Sequence, residues 1–116
     1  MKIPTRVPQK GFFYHYKHDP QGLVNNYAYE VVGVGFHTEE NARPGEEHFL
    51  VYRPLYEAPV YKAAKELGLP CFDNRPLEMW MGNEDKTGKN LPRFTKITDV
   101  KIIAELEEIK QQMYDV

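Results

Sequence analysis

The sequence predicts a mainly β domain of the α+β class, with a small, strongly curved antiparallel sheet or partly open barrel and helices packed outside it. Eight glycines, nine prolines and 13% aromatic residues among 116 favour short strands and turns over a helical bundle. Several short runs alternate apolar and polar residues, as half-buried strands do. Two other segments have the spacing of amphipathic helices. A chain of this length supports one hydrophobic core, so we expect one domain.

The N-terminal third predicts an arm followed by two strands. Residues 1 to 11 contain two prolines and little apolar material, which predicts an extended arm. The aromatic run FFYHYK at residues 12 to 17 predicts a strand, and DPQG at residues 19 to 22 predicts a turn. Residues 27 to 36 (YAYEVVGVGF) alternate and predict a second strand. Its two glycines lie on the same face and predict a bulge or a tight bend.

The middle of the chain predicts a long hairpin loop, a strand and a short helix. The polar residues 37 to 47 separate two strand-like runs and predict the loop. Residues 48 to 53 (HFLVYR) predict a strand. Its alternation places Leu50 and Tyr52 on one face, and Phe49, Val51 and Arg53 on the other. Pro59 at the first helical position and Gly68 after the last predict a helix over residues 59 to 67, with the inward stripe Val60, Ala63, Ala64 and Leu67.

The C-terminal part predicts more extended structure and the longest helix. Residues 72 to 81 have extended character, residues 82 to 90 predict a polar turn containing Thr87-Gly88, and residues 91 to 97 predict a strand interrupted by Pro92. A helix near residues 99 to 113 follows, with Thr98 or Asp99 as its N-cap. Its apolar stripe is Val100, Ile103, Leu106, Ile109 or Lys110, and Met113.

This last helix needs a partner surface, since a helix of roughly 15 residues is marginal alone in water. It packs either on its own barrel or at the interface of a homodimer, and both alternatives remain open. The core residues that the sequence predicts are Phe13, Val31, Val34, Leu50, Tyr52, Leu77, Met79 and Phe94.

Charge and cysteine content limit the kind of protein this is. The formal net charge is −2, which argues against binding to nucleic acid or anionic lipid mainly by bulk charge. The single cysteine, Cys71, excludes an internal disulfide and favours a reducing compartment, so we expect a cytoplasmic protein. The N-terminal residues lack the apolar region of a secretory signal, and no apolar run has the ~20 residues of a membrane-spanning helix.

Five segments together point to a family. They are HYK at residues 15 to 17, YEVVGV at 29 to 34 with HTE at 37 to 39, EE at 46 to 47, VYRPLY at 51 to 56 and RPLEMW at 75 to 80. In this order they resemble the small bacterial family called domain of unknown function 1653, whose pattern runs approximately HYKG, YEVLGVARHSE, EELVVYRxLY and RPLEMF. The resemblance covers residues 12 to 97. It implies a small SH3-like barrel and implies no activity.

The departures from the family pattern predict where the structure of this chain differs from that of the family. The helix around residues 60 to 67 replaces a short link after the leucine-tyrosine pair, and Trp80 stands where the family often has phenylalanine. The tryptophan that usually precedes the arginine-proline step is absent. We therefore predict an arm at residues 1 to 11, a barrel with an inserted helix at residues 12 to 97, and a helical extension at residues 98 to 116.

Two arginines in aromatic surroundings are the main candidates for a binding site. Guanidinium groups bind carboxylates and phosphates in bidentate fashion, so Arg53 and Arg75 together predict an anion or nucleotide site. The candidate ligand-binding residues are Tyr16, His37, Arg53, Tyr56, Arg75 and Trp80. In the alternative interpretation each arginine joins strands by pairing with Glu30, Glu47 or Glu78, and the rings fill the core.

Several reaction classes find no support in the residues. Serine is absent, so no serine nucleophile exists, and no glycine-rich phosphate loop follows a strand. His15, His18, His37 and His48 lack the spacing of a metal site, and Cys71 has the character of a small buried hydrophobe. We therefore predict no metal and no cofactor.

The sequence thus favours a non-catalytic module that binds a small anionic ligand, a nucleotide or a nucleic-acid segment. The alternatives are a small hydrolase-like enzyme with His37 as general base, and a protein-interaction domain.

Overall fold

The structure, a computed structural model, describes residues 2–86 and 89–115. It is a mixed α/β fold with a five-stranded antiparallel sheet and three helices. In chain order the elements are β1 (Gly11–His15), β2 (Ala28–Phe36), β3 (His48–Pro54), α1 (Pro59–Leu67), β4 (Asp73–Pro76), α2 (Leu77–Trp80), β5 (Asn83–Lys86), β6 (Lys89–Pro92), β7 (Phe94–Lys96) and α3 (Val100–Tyr114).

The main sheet has the strand order β4-β3-β2-β1-β7, and all of its neighbours are antiparallel. β5 and β6 form a separate two-stranded sheet. The main sheet is not closed, because β4 and β7 are its two edges and do not pair with each other. The predicted bend in β2 is present as a register shift between Val31 and Gly33 opposite β3, which leaves Val32 unpaired in the ladder.

The two faces of the sheet carry separate hydrophobic clusters. The inner face buries Phe13, Val31, Leu50, Tyr52, Leu77, Trp80 and Phe94. The outer face buries Phe12, Ala28, Leu55 and Ile97 beneath Leu106 of α3, which has no exposed surface. The last helix therefore packs on its own sheet, which is the first of the two alternatives that the sequence left open.

Local signals explain where the two longer helices begin and end. Pro59 stands in the first turn of α1, and Gly68 ends it in the left-handed conformation (φ 69°) that glycine adopts without strain. Asp99 caps α3, because its carboxylate accepts hydrogen bonds from the backbone N–H groups of Lys101 and Ile102 at 2.9 and 3.2 Å. Both helices match the ranges predicted from the sequence.

The predicted helix stripes and one core position are partly wrong. No residue of α1 is buried, and Leu67 is 66% exposed, because α1 meets α3 through Tyr61 rather than through Leu67. Val100 is 79% exposed because the first turn of α3 extends beyond the apolar surface that Leu106 covers. Met79 is also exposed, whereas Val34 is half-buried at the rim of the inner cluster.

The predicted extended segment at residues 72 to 81 is half wrong, since its second half forms α2. The predicted polar turn at residues 82 to 90 contains strand residues on both sides, and its Thr87-Gly88 pair lies outside the described residues. The last extended segment is divided at Pro92 into β6 and β7, as the position of this proline predicts.

The N-terminal arm has no helix or strand between residues 2 and 10 but contacts the sheet at two points. The Lys2 carbonyl lies 2.7 Å from His48 Nε2, and Lys96 Nζ donates to Gln9 Oε1 at 2.8 Å. The boundaries of the arm, the barrel and the helical extension stay a prediction. None of the helices in the described residues combines the length and the apolar composition of a membrane-spanning segment.

Candidate functional site

One end of the inner face carries polar groups among aromatic rings. We call this group the tyrosine cluster: Tyr29, Tyr52, Tyr56, Asp73 and Arg75. Strand register brings its members together, because Tyr52 pairs with Asp73 across β3 and β4, and Arg75 pairs with the buried Leu50. Cross-strand partners share a face, so both charged side chains of β4 lie on the face that forms the inner core.

Two tyrosine hydroxyls form the centre of the cluster. The hydroxyl groups of Tyr29 and Tyr56 are hydrogen-bonded to each other, and the two rings meet edge to face with centroids 5.6 Å apart. Burial raises the pKa of both hydroxyls, so both are neutral at physiological pH. Tyr29 also contacts the Tyr52 ring at 5.4 Å. The result is a rigid, half-buried aromatic surface with hydroxyl groups at its centre.

Asp73 places a half-buried carboxyl group beside these rings. Burial raises the pKa of Asp73, and the positive charge of Arg75 lowers it by a smaller amount. A titratable group perturbed by burial next to an opposite charge is more frequent at functional sites than elsewhere on a protein. Asp73 thus supplies the cluster with a strong hydrogen-bond acceptor.

Arg75 is the cationic member of the cluster. Its Nε donates to the Tyr52 hydroxyl at 3.2 Å, and its guanidinium lies 5.7 Å from the centroid of the Phe94 ring. Phe94 in turn stacks on the buried ring of Trp80 at 3.5 Å. Among the side chains that the structure describes, Arg75 forms no ion pair with a carboxylate. The guanidinium is therefore oriented by a neutral hydroxyl and a ring, and the carboxyl group of Asp73 is its charged neighbour.

A second ring layer borders the cluster. His15 lies between Tyr16, Tyr27 and Phe94, with ring centroids 4.4, 5.7 and 5.0 Å away. Tyr27 reaches the Tyr56 ring at 6.0 Å and is 39% exposed, with a left-handed backbone (φ 53°). These rings extend the aromatic surface from the buried core to the solvent.

Four of the six candidate residues therefore fall in one neighbourhood. Arg75 and Tyr56 are members of the tyrosine cluster, Tyr16 is at its border, and Trp80 supports Phe94 from inside the core. Because Trp80 is 3% exposed, it positions the neighbouring ring rather than offering its own surface.

Arg53 lies on the opposite face of the sheet. Its Nε donates to Glu30 Oε1 at 2.7 Å, and its guanidinium lies 3.9 Å from the centroid of the Tyr114 ring. Lys110 of α3 binds the second carboxylate oxygen of Glu30 at 2.8 Å. The structure therefore does not bring Arg53 and Arg75 together. For Arg53 it shows the alternative interpretation, a strand-joining pair with Glu30.

His37 also lies apart from the tyrosine cluster. It begins the loop between β2 and β3, where its Nδ1 accepts a hydrogen bond from the Glu39 backbone N–H at 3.0 Å. It lines a separate cavity of about 530 Å³ together with His48, Glu39 and Glu40. No group of three or more histidine, cysteine, aspartate or glutamate residues in the described part of the chain is arranged to hold a metal ion.

The sequence analysis did not select Asp73 as a site residue, and it left Tyr29 open between a stacking surface for a base and a core ring. A signal for Asp73 exists, because it stands two positions before Arg75 and residues so spaced in a strand share a face. Tyr29 belongs to an alternating run that identifies a strand but does not distinguish a core ring from a site ring.

The comparisons with known proteins identify a family for this chain. The family model described as protein of unknown function (DUF1653) matches residues 11–96, a range that contains the whole tyrosine cluster. The crystal structure of a DUF1653 protein from Bordetella bronchiseptica is similar, with a TM-score of 0.52 and 26% sequence identity. The similarity covers 79% of this chain and 90% of that one. The curated proteins contain no match to this chain.

Proposed function

This chain belongs to the DUF1653 family, and we propose that it is a non-catalytic binding module whose ligand occupies the tyrosine cluster. The proposed ligand is a small anion that also carries a planar ring, and nucleotides are the class that best combines these features. The observation that carries the proposal is Arg75, which is half-buried, held by a tyrosine hydroxyl and free of any carboxylate ion pair in the described residues.

Each part of such a ligand has a complementary group. Arg75 offers guanidinium donors to a phosphate or carboxylate, and this charge-assisted contact is among the stronger hydrogen bonds in proteins. The exposed ring of Tyr27 and the half-buried rings of Tyr16 and Tyr56 offer faces for a planar base. Asp73 accepts a hydrogen bond from an N–H group on that base. One anionic contact, one stacking surface and one acceptor together favour a nucleotide over inorganic phosphate.

The SH3-like description of the sheet is part of this proposal. Four consecutive antiparallel strands followed by a last strand that returns to β1 support it, as does the bulge that bends β2. In a partly open barrel of this kind the inner face, which carries Tyr52, Asp73 and Arg75, would line the interior, and the mouths of β-barrels are frequent ligand sites.

Titration with mononucleotides tests the proposal. We expect saturable binding of at least one of the four ribonucleoside 5′-monophosphates by calorimetry, and weaker binding of the matching nucleoside. Arg75→Gln should weaken binding roughly tenfold or more, because it removes a charge-assisted contact. Arg43→Gln, an exposed arginine on the loop after β2, is the matched control and should bind normally.

Two outcomes would contradict the binding site. One is the absence of binding by all four mononucleotides, and the other is equal binding by the wild type and Arg75→Gln. A short single-stranded oligonucleotide is a further arm of the experiment. Tighter binding of this oligonucleotide, with a strong salt dependence, would assign the site to a nucleic-acid segment instead.

The enzyme alternative rests on His37 and stays a prediction. His37 lines a different cavity from the tyrosine cluster, so a His37 variant that leaves nucleotide affinity unchanged would be compatible with the proposed module. The cytoplasmic location likewise stays a prediction, which rests on the single cysteine.

A further inference from the structure

We propose a second ligand site, for a small apolar carboxylate, in the groove between α1 and the C-terminal end of α3. We call it the interhelical groove. Its lining includes Arg53, Tyr61, Ala64, Lys65, Phe72 and Tyr114. The groove has a volume of about 470 Å³, which lies within the range of small-molecule sites. It is separate from the tyrosine cluster, because no member of that cluster lines it.

Two aromatic rings give the groove a fixed floor. Tyr61 of α1 and Tyr114 of α3 meet edge to face with centroids 5.6 Å apart. The Tyr61 hydroxyl donates to the Met113 carbonyl at 3.4 Å, and the Tyr114 hydroxyl donates to the Pro54 carbonyl. The first contact joins α1 to α3, and the second joins α3 to β3. The two rings are therefore in place before a ligand binds and need little reordering.

Each ring carries a cation. The Arg53 guanidinium lies 3.9 Å from the Tyr114 centroid, and Lys65 Nζ lies 4.8 Å from the Tyr61 centroid. Arg53 is partly neutralised by Glu30, which it shares with Lys110, and Lys110 lies 4.0 Å from Glu107 on its other side. Among the side chains that the structure describes, Lys65 forms no ion pair. None of the groove-lining residues is acidic, and the charge of Arg53 acts on Tyr114 more strongly than that of either Glu30 or Asp73, so the groove favours an anion.

The remaining walls are apolar and open to solvent. Leu69 is 65% exposed and Phe72 is 38% exposed, and Met113 also lines the groove. Covering such side chains with an apolar ligand is favourable by about 25 cal/mol for each Å² removed from water. The combination of two cations with apolar walls specifies an amphipathic carboxylate. A bare inorganic anion would leave the apolar walls exposed.

The groove also lies partly outside the region that identifies the family. The family model ends at residue 96, whereas Met113 and Tyr114 belong to α3. A ligand of this groove would accordingly be particular to chains with such a terminal helix.

Naphthalene-1-acetate is a suitable probe, with the neutral naphthalene-1-acetamide as its matched comparison. We expect saturable binding of the carboxylate, with amide chemical-shift changes in an NMR titration concentrated at residues 61 to 72 and 113 to 114. The acetamide should bind roughly tenfold more weakly, since it offers no charge to the cations. Arg75→Gln should leave the binding of naphthalene-1-acetate unchanged, which separates this site from the proposed nucleotide site.

Two variants of the groove complete the test. Lys65→Gln should weaken binding of the carboxylate roughly two- to fivefold, the range of an exposed ion pair, and Lys62→Gln on the same helix should not. Ala64→Trp should fill the groove and abolish binding in a protein that still melts cooperatively. Lack of saturable binding, equal affinity for the acetamide, or unchanged affinity of Lys65→Gln would each overturn the proposal, and none of these three depends on the folding of Ala64→Trp.

Discussion

The two faces of the sheet each carry a strand arginine, and the two arginines have different surroundings. On the outer face, Arg53 is paired with Glu30, stacked on Tyr114 and covered by α3. On the inner face, Arg75 is held by a tyrosine hydroxyl beside rings and has no carboxylate ion pair in the described residues. Both residues are arginines in strands of the same sheet. Their surroundings differ because different side chains and helices cover the two faces. The outer arginine joins β3 to Glu30 of β2 and to α3, whereas the inner one is the cation of the proposed binding site.

The largest effect on stability should come from weakening the packing of α3 on the outer face of the sheet. Leu106→Ala leaves a cavity beneath α3 at a position with no exposed surface, and it should lower the free energy of unfolding by about 2–5 kcal/mol. Chemical denaturation of the purified variant measures this. Val100→Ala, in the same helix but 79% exposed, should change stability by less than about 0.5 kcal/mol. Similar losses in both variants would show that α3 is not held through Leu106.

Replacing Arg53 should have an intermediate effect on the free energy of unfolding, and replacing Arg75 should have a smaller one. Arg53→Gln leaves Glu30 with Lys110 alone in a site where the carboxylate side chain is 15% exposed, and it should cost about 1–3 kcal/mol. Arg75→Gln removes one hydrogen bond to a neutral hydroxyl and should cost less than about 1 kcal/mol. Both values come from the same denaturation experiment. Equal costs would mean that the two faces do not differ in the way described.

The smallest effect should be a gain in stability, produced by Asp73→Asn, and it should depend on pH. Burial raises the pKa of Asp73 in the folded state above its unfolded value of about 3.9. At pH values between the unfolded and the folded pKa, the folded protein binds more protons than the unfolded chain does. Stability therefore falls as pH rises through that interval. Asp73→Asn removes this unfavourable charge and should be slightly more stable than the wild type at neutral pH. The difference should shrink on acidification toward the unfolded pKa.

Thermal melting of the Asp73→Asn variant at several pH values provides the measurement. Glu40→Gln, at an exposed position of the long loop, is the control for a change in net charge. Destabilisation by Asp73→Asn at neutral pH would show that the carboxylate is needed for folding. That result would argue against its proposed role as a hydrogen-bond acceptor for the ligand.

The sequence predicted those features that depend on neighbours along the chain. Alternation in β3 assigned Arg53 to the face opposite Leu50 and Tyr52, and this is confirmed. The proline and glycine around α1, and the Asp99 cap of α3, gave correct helix ends. Such signals are local, because a strand face or a helix cap is decided within a few residues.

Features that depend on pairing between distant strands were not predictable in this way. Arg75 shares a face with Leu50 only because β4 pairs with β3 in one particular register, and no local pattern contains that register. The exposed Leu67 shows the same limit for a helix. An apolar stripe predicts a helix surface suited to burial, but contacts with the rest of the fold decide whether that surface is buried.

The unclosed sheet also bears on how this protein behaves at high concentration. Exposed strand edges offer unpaired N–H and C=O groups to neighbouring molecules and are a common starting point for aggregation. Here the edge strand β4 has only four residues and ends in a proline, which has no N–H to donate, and β7 has only three. Edges this short give an incoming strand few hydrogen bonds. The fold thus keeps its sheet open while limiting the growth of intermolecular sheets.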